Sequence, residues 1–329
     1  MKFSFSLLLI ALLFFLPLNG CNTKESHQSV LESNDIVVFI ESRSPAHGIF
    51  SGNFGEVVLM DINSGKKYYL PDDHYYFNSN PIISYDGNYV TFLSNRIGSS
   101  SELRIKGVGG PHEIYLYDIR TRTLERFGEE LAEQYPEIFG RSLRLLKWNT
   151  TNDGFYLQTQ ENEIVEVSIE QDTVRYMTSI EGRNVRLMSL SLSSDSRYML
   201  MSTGGNETMS YQLILINMET LTKNIIYESN YVLFAGAWAT DNQRFLLRER
   251  GDIYEYNLID GAISKVLKHP ITEDMGIIES PFYTRNEKLI FIGSRNGSNE
   301  ILKYDFERDT IVYLTDDGYP KQYLDVSYK

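Results

Sequence analysis

The chain has 329 residues, 42% of them hydrophobic, which supplies a sizeable core and sets aside general disorder. Its formal net charge of −13 argues against a phosphate-reading surface, and so against nucleic acid, and against docking on an anionic bilayer through lysines. With one cysteine, a secreted domain here must hold together without disulfides.

Met1-Lys2 is a short basic start, and Phe3 to Leu18 is nearly all apolar. That run has the length of a signal h-region and is marginal for a membrane span. It ends in Leu18-Asn19-Gly20-Cys21, the layout of a lipobox, and the only cysteine of the chain falls there. The chemistry needs a thiol at the new N-terminus to accept a diacylglycerol, with a small residue before it. We expect a lipoprotein signal peptide over 1–20, a lipidated polar tether over 21–33 and one folded domain over 34–329; an uncleaved anchor helix is the alternative. Asn22 is not the Asp that retains lipoproteins at the inner membrane of enteric bacteria. A cell-envelope location follows, the outer membrane favoured, with the periplasmic or surface side open and the lipid on Cys21 as the only membrane contact.

From residue 34 onward a six-residue strand recurs, opening on an acid or amide and usually closing on Asp or Asn. Its six copies begin at Glu56, Glu113, Glu163, Gln212, Asp252 and Glu300. Their third and fifth positions are apolar, the period-two pattern of a strand with a buried face. Each copy leads through a turn into a further strand, as at Asn63-Ser64-Gly65 and Asp260-Gly261. Upstream of each lies a second hairpin, clearest around Asp86-Gly87, with weaker versions at Asn152-Asp153-Gly154, Ser194-Asp195-Ser196, Thr240-Asp241-Asn242 and Arg285-Asn286-Glu287. Four strands per repeat and six repeats predict an all-β fold, a six-bladed β-propeller of four-stranded antiparallel blades. The first repeat lacks its innermost strand, and the strand-like tail from Lys321 has nothing after it. The tail is therefore expected to complete blade one and close the ring.

These repeats resemble the TolB-type propeller, the WD40-like Pro-Asp repeat, over residues 35–329. The resemblance rests on Ser84-Tyr85-Asp86-Gly87, on Phe92-Leu93-Ser94-Asn95-Arg96, on Ile114 to Asp118 and on Leu314-Thr315-Asp316-Asp317-Gly318. Ser42-Arg43 and Ser294-Arg295 repeat its Ser/Arg element. The resemblance implies the propeller fold and leaves function open, because one scaffold hosts many functions.

In such a ring the first-to-second and third-to-fourth strand turns share one face and are short here. The second-to-third loops and the blade-to-blade links share the other, and some are long: Glu41 to Gly55, Asn95 to Pro111, and Phe127 to Arg141 with a short helix over Glu129 to Tyr135 stopped by Pro136. Loop variation on a rigid scaffold is where function usually sits. The candidate binding face comprises Arg43, His47, His74, Tyr75, Tyr76, Arg96, His112, His269 and Arg295. No pair of these histidines has metal-ligand spacing, there is no Gly-x-Ser-x-Gly elbow, and no phosphate-cradling glycine loop has its strand-turn-helix context. We expect a monomeric, non-catalytic module without cofactor or metal, binding an envelope protein or peptide, with a glycan possible. The alternative is a polysaccharide lyase or hydrolase using histidines and acids on the long-loop face.

Overall fold

The computed structural model describes residues 35–42, 55–71, 78–95, 113–139, 143–180, 185–204, 210–267, 275–277, 281–284, 287–295 and 298–327. Almost everything in it is antiparallel sheet, arranged as a six-bladed propeller. Blade 2 runs β4 (Asn78–Ile83), β5 (Tyr89–Ser94), β6 (Glu113–Asp118) and β7 (Thr123–Phe127) from axis to rim. Blade 3 runs β8 (Arg144–Trp148), β9 (Gly154–Gln158), β10 (Glu163–Ser168) and β11 (Thr173–Ser179). Blade 4 is β12 (Arg186–Leu192), β13 (Tyr198–Gly204), β14 (Tyr211–Asn217) and β15 (Lys223–Ser229). Blade 5 is β16 (Leu233–Trp238), β17 (Arg244–Glu249), β18 (Asp252–Asn257) and β19 (Ile263–Leu267). In blade 6 the inner position is shared by β20 (Met275–Ile277) and β21 (Phe282–Tyr283), followed by β22 (Leu289–Arg295), β23 (Ser298–Asp305) and β24 (Thr310–Tyr313). Blade 1 draws on both ends of the chain: β25 (Lys321–Val326) lies inside β1 (Ile36–Glu41), β2 (Glu56–Asp61) and β3 (Lys67–Tyr69). The expected closure of the ring by the tail is therefore present.

The core is a ring of seams between blades. Ile36, Leu59 and Val57 of blade 1 meet Val90, Phe92 and Tyr117 of blade 2. Leu116 and Leu93 of blade 2 meet Trp148, Phe155 and Leu157 of blade 3. Corresponding clusters fill the other four seams. The one-faced burial expected of the recurrent strand is exceeded in blades 1 and 2. In β2 every residue is buried, and in β6 the second to fifth positions all are. A blade packs on a neighbour at each side, so a strand in its middle has little solvent face, although Glu166 of β10 and Glu255 of β18 stay partly exposed.

Turn chemistry explains the repeat's recurrent Asp or Asn. Asp61 Oδ1 accepts the N–H groups of Asn63 and Ser64, Asp118 Oδ1 those of Arg120 and Thr121, Asn217 Oδ1 those of Glu219 and Thr220, and Asp305 Oδ1 those of Glu307 and Arg308. Each is a side chain substituting for a backbone acceptor at the start of a turn. The other turn series is equally regular. Gly87, Asn152, Ser196, Asn242 and Glu287 all adopt φ between 54° and 64°, and each donates its N–H to the carbonyl three residues earlier. Three of these side chains then reach the preceding blade: Asn152 Oδ1 accepts Asp86 N–H (3.1 Å), Asn242 Oδ1 accepts Ser194 N–H (2.8 Å), and Glu287 Oε1 accepts the Thr240 hydroxyl (3.0 Å).

Between blades 2 and 3, helix α1 (Glu129–Gln134) begins after Gly128, whose φ of 85° turns the chain, and buries Leu131. The helix ends just ahead of Pro136, as expected, but the chain then coils again. Proline opens a second short helix, α2 (Pro136–Phe139), because its missing N–H costs nothing at a helix start.

Candidate functional site: the central channel

The six innermost strands enclose a cavity of about 460 Å³ to which every blade contributes. Its walls are largely apolar, with Leu146, Met188, Leu190, Phe234, Trp238 and Phe282 among them. Among the described residues three charged side chains line it, Arg144, Lys147 and Asp325, for a net of +1 in a chain of −13.

A β-bulge shapes each inner strand from blade 1 to blade 5. Register slips by one residue between Leu145 and Lys147, between Leu187 and Ser189, and between Ala235 and Trp238, with matching slips in β4 and β25. In a regular strand, residues three apart point to opposite faces. The extra residue in β8 puts both Arg144 and Lys147 on the channel side. Asn80 and Tyr323, at the bulges of β4 and β25, take φ of 49° and 59°.

The two cations are treated differently. Lys147, near the turn end of β8, is buried and pairs with Asp325 of blade 1. Asp325 also accepts the Ile83 N–H of blade 2 at 3.0 Å. The Lys147 ammonium stands 5.5 Å from the Tyr85 ring centroid and 5.6 Å from that of Phe282, so it reaches blades 1, 2 and 6 from blade 3. Arg144 opens β8 at the link end, toward the long-loop face. Its guanidinium donates to the carbonyls of Leu187 (2.8 Å) and Met188 (3.0 Å), at the bulge of the next blade. Burial pulls its pKa below the usual guanidinium value, with Tyr323 acting weakly the other way.

At the seam of blades 6 and 1, on the same long-loop side, lies a second ionic group. Lys321 and Glu41 are fully buried and Glu300 is 2% exposed. The Lys321 ammonium is 3.0 Å from Glu300 and 3.8 Å from Glu41, and it also pairs with Asp317. Lys67 bridges Glu41 and Asp317, the Tyr69 hydroxyl donates to Glu41 at 3.0 Å, and the Thr315 hydroxyl to Glu300 at 2.6 Å. These groups satisfy one another and hold the closing strand. A hollow of about 500 Å³ between blades 5 and 6 on the turn face is likewise internally paired, Arg244 with Glu255 at 3.1 Å and Lys288 with Asp305 at 3.1 Å.

Of the residues singled out from sequence, Cys21, Arg43, His47, His74, Tyr75, Tyr76, Arg96, His112 and His269 lie outside the described residues, and Arg295 is described only as the last residue of β22. Among the described residues no group of three or more His, Cys, Asp or Glu side chains is placed to hold a metal, and no helix is long and apolar enough to cross a membrane. The channel residues were not among those candidates. The available signal was a charge inside an apolar strand: Arg144 and Lys147 in Arg-Leu-Leu-Lys-Trp, Asp325 in Tyr-Leu-Asp-Val.

Among solved structures, TolB from Acinetobacter baumannii superposes with a TM-score of 0.63 at 13% identity, over 89% of this chain and 66% of that one. The fold is that of a TolB-like propeller. The chain thus spans just under two thirds of that TolB chain. A chain of a nidogen/laminin complex matches with a TM-score of 0.60 at 7% identity, over 89% of this chain and 98% of that one. An oligogalacturonate lyase in complex with manganese matches at 0.52 and 13% identity, over 85% and 72%. At these identities the likeness establishes the fold alone. No protein-family model and no curated protein matches the sequence.

Proposed function

We propose that this TolB-like propeller is a cell-envelope lipoprotein, anchored through Cys21 with the outer membrane favoured, and that it acts as a monomeric, non-catalytic binding module for an envelope protein or peptide. The observation that carries the reading is the channel: about 460 Å³, mostly apolar, ringed by six blades, with one cation in excess. A cavity of this size walled by apolar groups with a few placed polar ones is the usual form of a ligand site. The segment before residue 35 leads directly into β1, so the lipid would hang from the ring itself. Photo-crosslinking of the lipidated chain in its native membranes tests the idea. A photoreactive phenylalanine at Phe234, in the channel, should capture one partner that the same group at Ile259, on the opposite face and 72% exposed, does not. Equal capture at both positions counts against the channel.

A second reading, a lyase or hydrolase acting on polysaccharide through the histidines of the long-loop face, draws on the likeness to the manganese-bound oligogalacturonate lyase. Stoichiometric metal in the purified protein, with depolymerisation of a polyuronate, would favour it over the binding module.

A further inference from the structure

We infer that Arg144 is the anion-binding residue of the channel and that the peptide it takes carries a carboxylate, which seats at the long-loop mouth while apolar side chains fill the cavity below. The inference rests on the channel being the peptide site. A guanidinium offers five N–H donors in a planar fork. Arg144 uses two of them, on Leu187 and Met188. Both acceptors are neutral carbonyls, and no carboxylate stands within ion-pair range of Arg144 among the described residues. Three residues along the same strand, Lys147 has its counter-ion in Asp325. A cation withdrawn from water without an opposite charge is costly, and a ligand that brings the charge offsets that cost.

Position points the same way. Arg144 is the first residue of β8, at the end where the chain enters from the blade-to-blade link. Tyr323, 37% exposed, lines the cavity with it, and Phe234 and Met188 supply apolar surface. The two bulge carbonyls orient the fork, so little freedom is lost when a carboxylate docks on its remaining edge. The surplus positive charge is local, set in a protein of net −13, so the ligand is selected by this contact rather than drawn in by the overall field.

The test uses the full chain and three synthetic hexapeptide pools of identical apolar and hydroxyl content, all N-acetylated. One pool is C-terminally amidated and uncharged, one has a free terminal carboxylate, and one is amidated with a single Asp. Binding is followed by tryptophan emission, since Trp238 lines the cavity and the only other tryptophan, Trp148, is fully buried elsewhere. We expect a carboxylate pool to bind about ten- to a hundredfold more tightly than the uncharged pool. That preference should vanish in Arg144→Gln and return in part in Arg144→Lys, with both variants melting as the parent does. Whichever carboxylate pool wins identifies a chain terminus or an acidic side chain. Equal binding of all pools overturns the carboxylate assignment and leaves the channel reading intact. A preference that survives Arg144→Gln overturns the role of Arg144. If no pool changes the emission, both the channel reading and this inference fall.

Discussion

Blade 4 and blade 1 solve the same packing problem from opposite starting points. All of blade 4 lies between Arg186 and Ser229, and each strand pairs with its neighbour in sequence. Its register follows from turns, where Asn217 and Ser196 set the local geometry. Blade 1 must bring together segments almost a chain length apart. Its inner strand is held at both ends by polar groups: at one end by Lys321 among Glu300, Glu41 and Asp317, at the other by Ser327, whose N–H donates to the Ile36 carbonyl at 2.9 Å and whose hydroxyl oxygen accepts the Ile36 N–H at 3.3 Å. A slip of one residue would turn every side chain to the other face. Turn chemistry specifies register where strands are adjacent in sequence, and a buried ionic group specifies it where they are not.

That contrast can be broken most severely by removing residues 321–329. Leu324, Val326 and the partner of Lys147 go with them, β1 becomes an open edge, and the chain should lose its single cooperative melting transition. Lys321→Met comes next. Two buried acids lose a cation, and the loss in denaturant unfolding should be about 3–5 kcal/mol near neutrality. Adding Glu300→Gln to Lys321→Met should recover part of the loss, because a neutral amide leaves less charge buried without a partner. Phe245→Ala, which opens the apolar seam of blades 4 and 5, should cost about the same and gain nothing from Glu300→Gln. If Glu300→Gln relieves neither loss, or both equally, the distinction between the seams is wrong.

A finer probe is Asp317. Burial pushes its pKa up, but hydrogen bonds from Lys321 and Lys67 more than reverse this and leave it at about 2 against an ordinary 3.8. A depressed carboxylate contributes stability that is present above its unfolded pKa and lost as pH falls through the folded one. Melting temperature should therefore drop between pH 3.8 and about 2 in the parent, and Asp317→Asn should show a flatter profile there from a lower neutral value. The smallest effect belongs to the local side of the comparison. Asn242→Gly keeps the left-handed turn but removes the acceptor of Ser194, and should lower stability by about 0.5–1.5 kcal/mol.

Much of the fold was legible because the outer strands obey local rules. The copies at Glu56, Glu113, Glu163 and Asp252 coincide with β2, β6, β10 and β18, and the aromatic residues at their alternating positions, such as Tyr115 and Tyr117, are core. The inner strands break those rules. Ser79-Asn80-Pro81 and Met188-Ser189-Leu190 carry no clean alternation, since a bulge inserts one residue and the period of two is lost. Trp148 and Trp238 occupy matching places at the ends of β8 and β16, each stacked on a tyrosine of the preceding blade, Tyr89 at 5.6 Å and Tyr198 at 6.0 Å. That pair of tryptophans was a usable sequence marker of the inner strands.

By itself, then, the sequence determined the strands, the turns that join them, the number of blades and the use of the tail to close the ring, because each depends on side-chain alternation and on Asp, Asn and Gly at short range. Only the tertiary structure decided what the channel presents. Asp325 and Lys147 are 178 positions apart, and whether Arg144 faces solvent, seam or axis depends on a bulge in its own strand and on the carbonyls of the next blade. Charge compensation is a property of neighbours in space, so the channel cation that has no carboxylate among the described residues could be found only after the ring had closed around it.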